Sequence, residues 1–425
     1  MPRSVMVMKS PVLFLWCSAF ALLSPPWCAL STSMPARRLR VAGGAAGDSR
    51  AVGMVNGGRE PNQTEAIGGP SRVGQEGTRS RVEAKPECAA GAAQPGKPQH
   101  VVFYFGKATQ GKGDALRRTI EANAAAQWVA LRHRFGARLV VLDFGAIWAR
   151  HNEATREAAS RLRFSTTQRV PVLSSMYEEA QRLCPDAATY TYVNADIVFL
   201  GPSLVVTADR LVEESRSGSG LSTRFLAVGS RRDFSWRPGW RCDAQGFNGA
   251  VNAAQACGES SWDAKIYSGR GSDFADGDGG SFRLGDIYRQ AQDAGVLAQD
   301  YFIASRGLWD WRASIPEFII GRVGFDNWLV DHAFHLAPAV SLVDVSRSVM
   351  ALHQSDEKGS FSGFQAPDTH WNYKIAARHA ERNRLPPNYF AHGAISGAPW
   401  SSALQTVNGT ACLQVVLKRG NLRTR

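Results

Sequence analysis

Apolar runs separated by amphipathic stretches set the rhythm of the chain from His100 onward. VVFYF (101–105) is an apolar run of strand type, closed by Gly106. Asp114 to Phe135 brings Leu116, Ile120, Ala124, Trp128 and Leu131 onto one helical face. ARLVVLDF (137–144) predicts a second buried strand, and Glu153 to Leu162 an amphipathic helix. Pro171 stands where a first-turn proline belongs, ahead of a helix running through Leu183. TYTYVNADIVFL (189–200) predicts a third strand and FLAVGSRRDF (225–234) a fourth, with SLVDV (341–345) a later one. Strands that are apolar throughout and alternate with helices indicate a parallel sheet covered on both faces. The expected class is therefore α/β, with a mostly parallel central sheet and helices on both sides. In such sheets ligands bind beyond the C-terminal ends of the strands.

Ahead of His100 the pattern is different. A short basic lead, Arg3 and Lys9, precedes the apolar run PVLFLWCSAFALL (11–23), and Ala29-Leu30-Ser31 offers a cleavage site. A run of this length suits a signal peptide over residues 1–31 better than a full span, which takes about 20 residues. Extension to Leu30 keeps a signal anchor, and so a membrane attachment at the N-terminus, as the alternative. Residues 32–98 carry Gly, Ala, Arg, Ser and Pro without a periodic apolar pattern, which predicts a disordered stem. A plastid-targeting extension is a further option, weakened by the acids Asp48, Glu60, Glu65, Glu76, Glu83 and Glu87. The sequons at Asn62 and Asn408 fit a lumenal protein. The expected organisation is thus leader, stem, a catalytic domain over 99–400 and a C-terminal tail over 401–425. Its expected location is the secretory pathway, in the Golgi or secreted.

Charge changes this picture little. Half of the net +12 belongs to residues 1–98, and the basic residues of the remainder are scattered rather than striped. This excludes a nucleic-acid surface and leaves room for an anionic small ligand. Without the leader five cysteines remain, Cys88, Cys184, Cys242, Cys257 and Cys412. No C-x-x-C is present, and the odd count argues against a disulfide scaffold.

Candidate chemistry lies in three segments. In YVNADIVFL (192–200) an apolar strand breaks for Asn-x-Asp and resumes. Period-two alternation would point Asn194 and Asp196 to the same side, where two oxygen ligands at a strand end can hold Mn²⁺ or Mg²⁺. An ordinary turn between two strands would use the same residues. DYFIASRGLWDWRASIPEFIIGRVGFDNWLVDH (300–332) crowds aromatics around Asp300, Arg322 and Asp326, the last at a predicted helix start where the dipole favours a carboxylate. A helix-capping role for Asp326 and a surface ion pair for Arg322 are the plainer alternatives. His353 ends the apolar run 349–352, a place usually taken by a satisfied core histidine. Three lesser signals carry less. Gly106–Lys112 approximates a phosphate-binding P-loop but has Gly113 in place of Ser/Thr. It keeps a nucleoside triphosphatase or a sulfotransferase as an alternative. Asp143-Phe144-Gly145 lacks the companion motifs of a kinase, and Asp276-Gly277-Asp278 sits in a glycine-rich loop.

Taken in order, YVNADIVFL, FLAVGSRRDF, DYFIASRGLW, IPEFIIGRVGFDNWL and ALHQ resemble a group of glycosyltransferases with the nucleotide-diphospho-sugar transferase (GT-A) fold, over roughly residues 100–375. The resemblance implies transfer of a sugar from a nucleotide-sugar donor to a glycan, protein or lipid acceptor. A divalent metal would bridge protein and diphosphate. Asn194 and Asp196 stand at the metal motif, with His353 as a late metal-binding histidine. Asp326 stands near the acidic pair at a helix start that often supplies the base. From the residues themselves, Asp300, one residue before a predicted strand, is expected to contact a donor-sugar hydroxyl, and Arg322 or nearby basic residues to assist at the diphosphate. The wider fold usually has Asp at the position of Asn194. Because a neutral amide is the weaker ligand for a hard cation, Asn194→Asp is expected to keep or raise metal affinity.

Overall fold

The computed structural model describes residues 98–106, 115–145, 158–165, 170–235, 240–242, 265–268, 281–355, 369–385, 393–407 and 410–420. All belong to the unit Arg79–Arg425. The leader, almost all of the stem, the P-loop-like residues 107–112, the 269–280 loop and both sequon asparagines lie outside the described residues.

An eight-stranded sheet organises the unit, in the order β15-β14-β12-β5-β11-β3-β1-β2. Its strands are β1 (His100–Tyr104), β2 (Leu139–Asp143), β3 (Thr189–Val193), β5 (Phe225–Ser230), β11 (Gln299–Ser305), β12 (Ser341–Arg347), β14 (Trp400–Val407) and β15 (Thr410–Arg419). Six strands run in one direction. Only β11, wedged between β3 and β5, and the last strand β15 oppose them. The class is therefore α/β with a mixed, largely parallel sheet.

Alternation along each strand feeds two separate cores, as a two-residue period requires. Val102 and Tyr104 join Ile120, Ala124 and Trp128 of helix α1 (Ala115–Phe135), and Leu204, Val205 and Leu211 of α3 (Ser203–Arg216), on one face. Val101 and Phe103 join Leu173 and Met176 of α2 (Leu173–Leu183), and Trp328 and Leu329 of α6 (Phe325–His335), on the other. Helix α1 is Ala-rich and carries Arg132, His133 and Arg134 in its last turn, where cations complement the dipole. Its buried face is not purely apolar, for Glu121, Asn123 and Gln127 are also buried there.

A second sheet, β10-β6-β13-β4, grows out of the first. Its strands are β4 (Ile197–Phe199), β6 (Arg232–Ser235), β10 (Gln292–Asp293) and β13 (Ala351–Ser355). The stretches 189–200 and 225–234, each expected as one strand, both divide between the two sheets. β3 passes into β4 through Asn194–Asp196, and β5 passes into β6 through Arg231. The remaining elements are a three-stranded sheet, β7 (Trp240–Cys242), β8 (Lys265–Ser268) and β9 (Ser281–Arg283), with α4 (Leu284–Gln290), α5 (Trp311–Ser314) and α7 (Trp371–Arg382).

Other expectations need correction. Pro171 and Val172 make bridges to Phe164 and Ile319, so α2 starts two residues past the proline rather than around it. Residues 401–425, expected as a tail, supply most of the β14–β15 hairpin at the edge of the main sheet. Cys184, buried at the end of α2, is disulfide-bonded, which an argument against a disulfide scaffold leaves open. Among the described residues no helix is long and apolar enough to cross a membrane.

Candidate functional site

Six parallel strands end on one edge of the main sheet, and the polar residues of the chain gather there. Val193 closes β3 and the chain turns at once, with Ile197 N donating to Asn194 O at 3.2 Å. This turn moves the chain into the second sheet, so Asn194 and Asp196 are not alternate residues of one strand, and period two does not set their directions. Asn194 faces the main sheet. Its amide nitrogen donates to Asp300 Oδ1 at 2.6 Å, and its oxygen accepts from the Tyr192 hydroxyl at 2.7 Å. Asp196 faces the second sheet, where β13 pairs with β4 in a register that sets His353 against Ile197. His353 Nε2 lies 3.4 Å from Asp196 Oδ2.

The other ring nitrogen of His353 is held too. The pairing of β13 with β6 places His353 opposite Asp233, and His353 Nδ1 lies 2.9 Å from Asp233 Oδ1. Arg231 ties the two sheets together: its Nε donates to Asp233 Oδ1 at 2.8 Å, and its NH1 forms an ion pair with Asp300 Oδ2. Asn194, Asp300, Arg231, Asp233, His353 and Asp196 thus form one continuous polar chain across the junction.

The charges in this chain stabilise one another. Burial alone would raise the Asp196 carboxyl, but the charge and hydrogen bond of His353, with Arg117 and Arg231 nearby, hold it far below the carboxylate range. Burial would likewise lower His353, and the same Asp196 contact together with Asp233 raises it instead. Asp233 is also held low, against its own burial, by His353 and Arg231. One atom stands outside the network: Asp196 Oδ1 is buried without a hydrogen-bond partner. Leaving such an acceptor unsatisfied costs about 1–3 kcal/mol, and more for a charged group.

Asp196 lines a pocket with Asn194 and Ala195 of the turn, Tyr192 of β3, Phe105 beyond β1, Arg117 and Glu121 of α1, and Ile320 and Gly321 ahead of α6. Arg117 donates to Glu121 Oε1 at 3.2 Å and approaches Asp196 Oδ2 at 3.9 Å. The cavity, about 50 Å³, has room for an ion and water. Main-chain contacts fix its floor, since Gln354 N and Nε2 both donate to Asp196 O, at 3.0 and 3.3 Å. Asn123 of α1 in turn donates to Gln354 Oε1 at 3.0 Å.

Asp326 occupies the second position of α6, whose N-cap Gly324 takes φ 98°. Gly324 N donates to Asp326 Oδ1 at 3.2 Å. Burial raises this carboxyl to about 6, against the opposing pull of the backbone N–H groups and of Arg231. Arg322 is buried in the same loop, with NH1 donating to Gly321 O at 2.7 Å. The structure therefore joins Asp196 to His353 and Asn194 to Asp300, and it sets Asp326 within electrostatic reach of Arg231. It does not place Asn194 as a partner of Asp196, and both oxygens of Asp300 are already engaged.

Whether the site suits a divalent cation can be judged from its donors. Ligands about 2.1–2.2 Å from one ion, at adjacent positions, lie roughly 3.0–3.4 Å from each other, which matches the Asp196–His353 separation. A metal-bound histidine ordinarily gives its second N–H to a carboxylate, the position Asp233 holds. Among the described residues no three His, Cys, Asp or Glu side chains converge on one ion. A dyad of this kind fits a cation that keeps water and takes substrate oxygens for its remaining ligands.

Arg231, Asp233, Arg117 and Gln354 were not singled out by sequence reasoning. The polar run SRRDF directly after an apolar strand is the signal that could have marked two of them, Arg231 and Asp233. Neither protein-family models nor curated proteins match this sequence.

Proposed function

We propose that this chain is a glycosyltransferase of GT-A type, transferring a sugar from a nucleotide-sugar donor with a divalent metal bound at Asp196 and His353. The observation that carries the reading is the buried, unpartnered Oδ1 of Asp196 beside a histidine already oriented by Asp233. Its place at the C-terminal edge of a largely parallel α/β sheet, where ligands bind in such folds, supports it.

When bound there, Mn²⁺ or Mg²⁺ would supply charge neutralisation for the leaving diphosphate. Asp233, held against His353 Nδ1, orients the ring so that Nε2 is turned toward Asp196. Arg117, which lines the pocket, would add positive charge beside the phosphates. Asn194 and Asp300 act as positioning residues: they hold the turn and Arg231 in place rather than touching the donor. Asp326 receives the proton of the acceptor hydroxyl as that oxygen bonds to the anomeric carbon and the bond from that carbon to the diphosphate breaks. The products are a glycoside, a nucleoside diphosphate and one proton, carried first by Asp326. The disulfide at Cys184 supports folding in an oxidising compartment, in keeping with a secretory protein.

The test is donor turnover by the full chain across a panel of UDP- and GDP-sugars, with Mn²⁺ and with chelator. Mn²⁺ binding is measured separately by calorimetry. Metal-dependent release of nucleoside diphosphate, lost in Asp196→Ala together with Mn²⁺ binding, supports the reading. Mn²⁺ binding without turnover of any donor would point to a sugar-nucleotide binder on the same fold. Full activity in Asp196→Ala would remove the metal assignment.

A further inference from the structure

The run ALHQ ends in Gln354, which follows His353 on β13 and keeps only 1 % of its surface exposed. A leucine or methionine would fill the same place without the desolvation that a buried amide undergoes. The amide is spent on joining two elements. The main-chain N of Gln354 donates to Asp196 O at 3.0 Å, which extends the β4–β13 pairing by one rung. The side-chain nitrogen donates to the same Asp196 O at 3.3 Å and to Ile120 O of α1 at 3.2 Å, one hydrogen for each. The side-chain oxygen accepts from Asn123 of the same helix at 3.0 Å. One side chain thus ties the turn that carries Asp196 to α1.

Both halves of this joint face the pocket. Asp196 lines it from the turn, and Arg117 and Glu121, one helical turn apart on either side of Ile120, line it from α1. The other end of the turn is tied to the main sheet, where Asn194 N donates to Asp300 O at 2.9 Å. With that end held, the amide of Gln354 sets the gap between Asp196 and the helix, beside a cavity of about 50 Å³. The width of such a gap matters to a cation. Mg²⁺ takes ligands at about 2.0–2.1 Å in a near-ideal octahedron, whereas Ca²⁺ takes more of them at about 2.3–2.6 Å in a flexible shell. A wall that cannot yield favours the smaller ion, and a wall that gives admits the larger.

We infer that Gln354 is a positioning residue that acts through the main chain of Asp196 and sets the size of the cation accepted, a small divalent ion over Ca²⁺. Asn123 holds the amide in place for this task. The assignment rests on the reading of Asp196 and His353 as metal ligands, and it is measured by binding, without donor or turnover.

The experiment uses the full chain. Mn²⁺ binding is read from the loss of the free-ion electron paramagnetic resonance signal, and Ca²⁺ binding from its competition for the same site. The wild type should bind Mn²⁺ well ahead of Ca²⁺. Gln354→Met keeps the length of the side chain and removes its hydrogen bonds. It should weaken Mn²⁺ binding about tenfold or more and change Ca²⁺ binding little, so that the ratio of the two affinities narrows. Asn123→Ala, which removes the bond to Gln354 Oε1, should narrow the ratio by less, and it decides the matter if Gln354→Met does not fold. Gln127→Ala is the control. It cuts bonds between the same helix and Phe199, beyond the turn, and should lower the melting temperature while leaving the ratio as it is. A wild-type ratio in Gln354→Met and Asn123→Ala, or equal narrowing in Gln127→Ala, makes Gln354 a packing residue and overturns the inference with the metal assignment intact. Failure of the wild type to bind Mn²⁺, or full binding by Asp196→Ala, removes the metal assignment and the inference with it.

Discussion

Asn194 shows how much hangs on the polarity of a single group. An amide donates and accepts, so it bridges the Tyr192 hydroxyl and the Asp300 carboxylate at the same time. The expectation that Asn194→Asp keeps or raises metal affinity therefore does not survive the geometry. A carboxylate there would meet Asp300 across 2.6 Å, with no proton between them. Asn194→Asp should instead lower Mn²⁺ affinity and thermal stability together, which calorimetry and a melting curve would reveal. Asp326 provides a second residue-scale prediction. Its folded pKa, near 6, exceeds the unfolded value, so in its proposed role the carboxyl would be ionised, as a base requires, only as pH rises through about 6. Turnover should climb across that range, and Asp326→Asn should abolish the climb along with the rate. Asp143 is raised to about 7, chiefly by burial, while Gly145 N and the Tyr104 hydroxyl, bonded to its oxygens, pull the other way. The folded state then holds a proton that the unfolded chain releases near pH 4. The stability from this group is full below pH 4 and is lost as pH rises through 7. At pH 8 Asp143→Asn should melt several degrees above the wild type, and its advantage should vanish in acid.

Elements explain what the sequence could and could not convey. Runs such as VVFYF and LVVLD announce strands because both of their faces are buried, and β1 and β2 lie where the pattern put them. The junctions were not legible, because an apolar strand that changes sheets looks the same as one that continues. For the same reason Asp233 escaped notice: its partnership with His353 is a register between strands 120 residues apart. The polar residues on the buried face of α1 were a readable sign that the helix serves more than packing. Gln127 is the clearest case, since it pairs with both the N–H and the C=O of Phe199 and completes the free edge of β4 as a neighbouring strand would. Gln127→Ala would leave both groups buried and unpaired, at a cost of about 1–3 kcal/mol each. Urea denaturation of that variant should show the loss, whereas the exposed neighbour Val129, changed to Ala, should show little.

At the scale of the whole molecule, the site belongs to neither core alone. Asp196, in the turn before β4, and His353, on β13, adjoin strands packed into the cluster that contains α1 and α3, while Asp326 lies in the first turn of a helix packed into the cluster on the opposite face. The polar chain through Arg231 and Asp300 runs over the edge of the sheet between them. On the proposed reading, activity would need both layers at once, and a partly folded form with a single layer in place would not work. Hydrogen exchange of α1 and α6 during refolding would time the two layers separately. Recovery of turnover should follow whichever of them closes last.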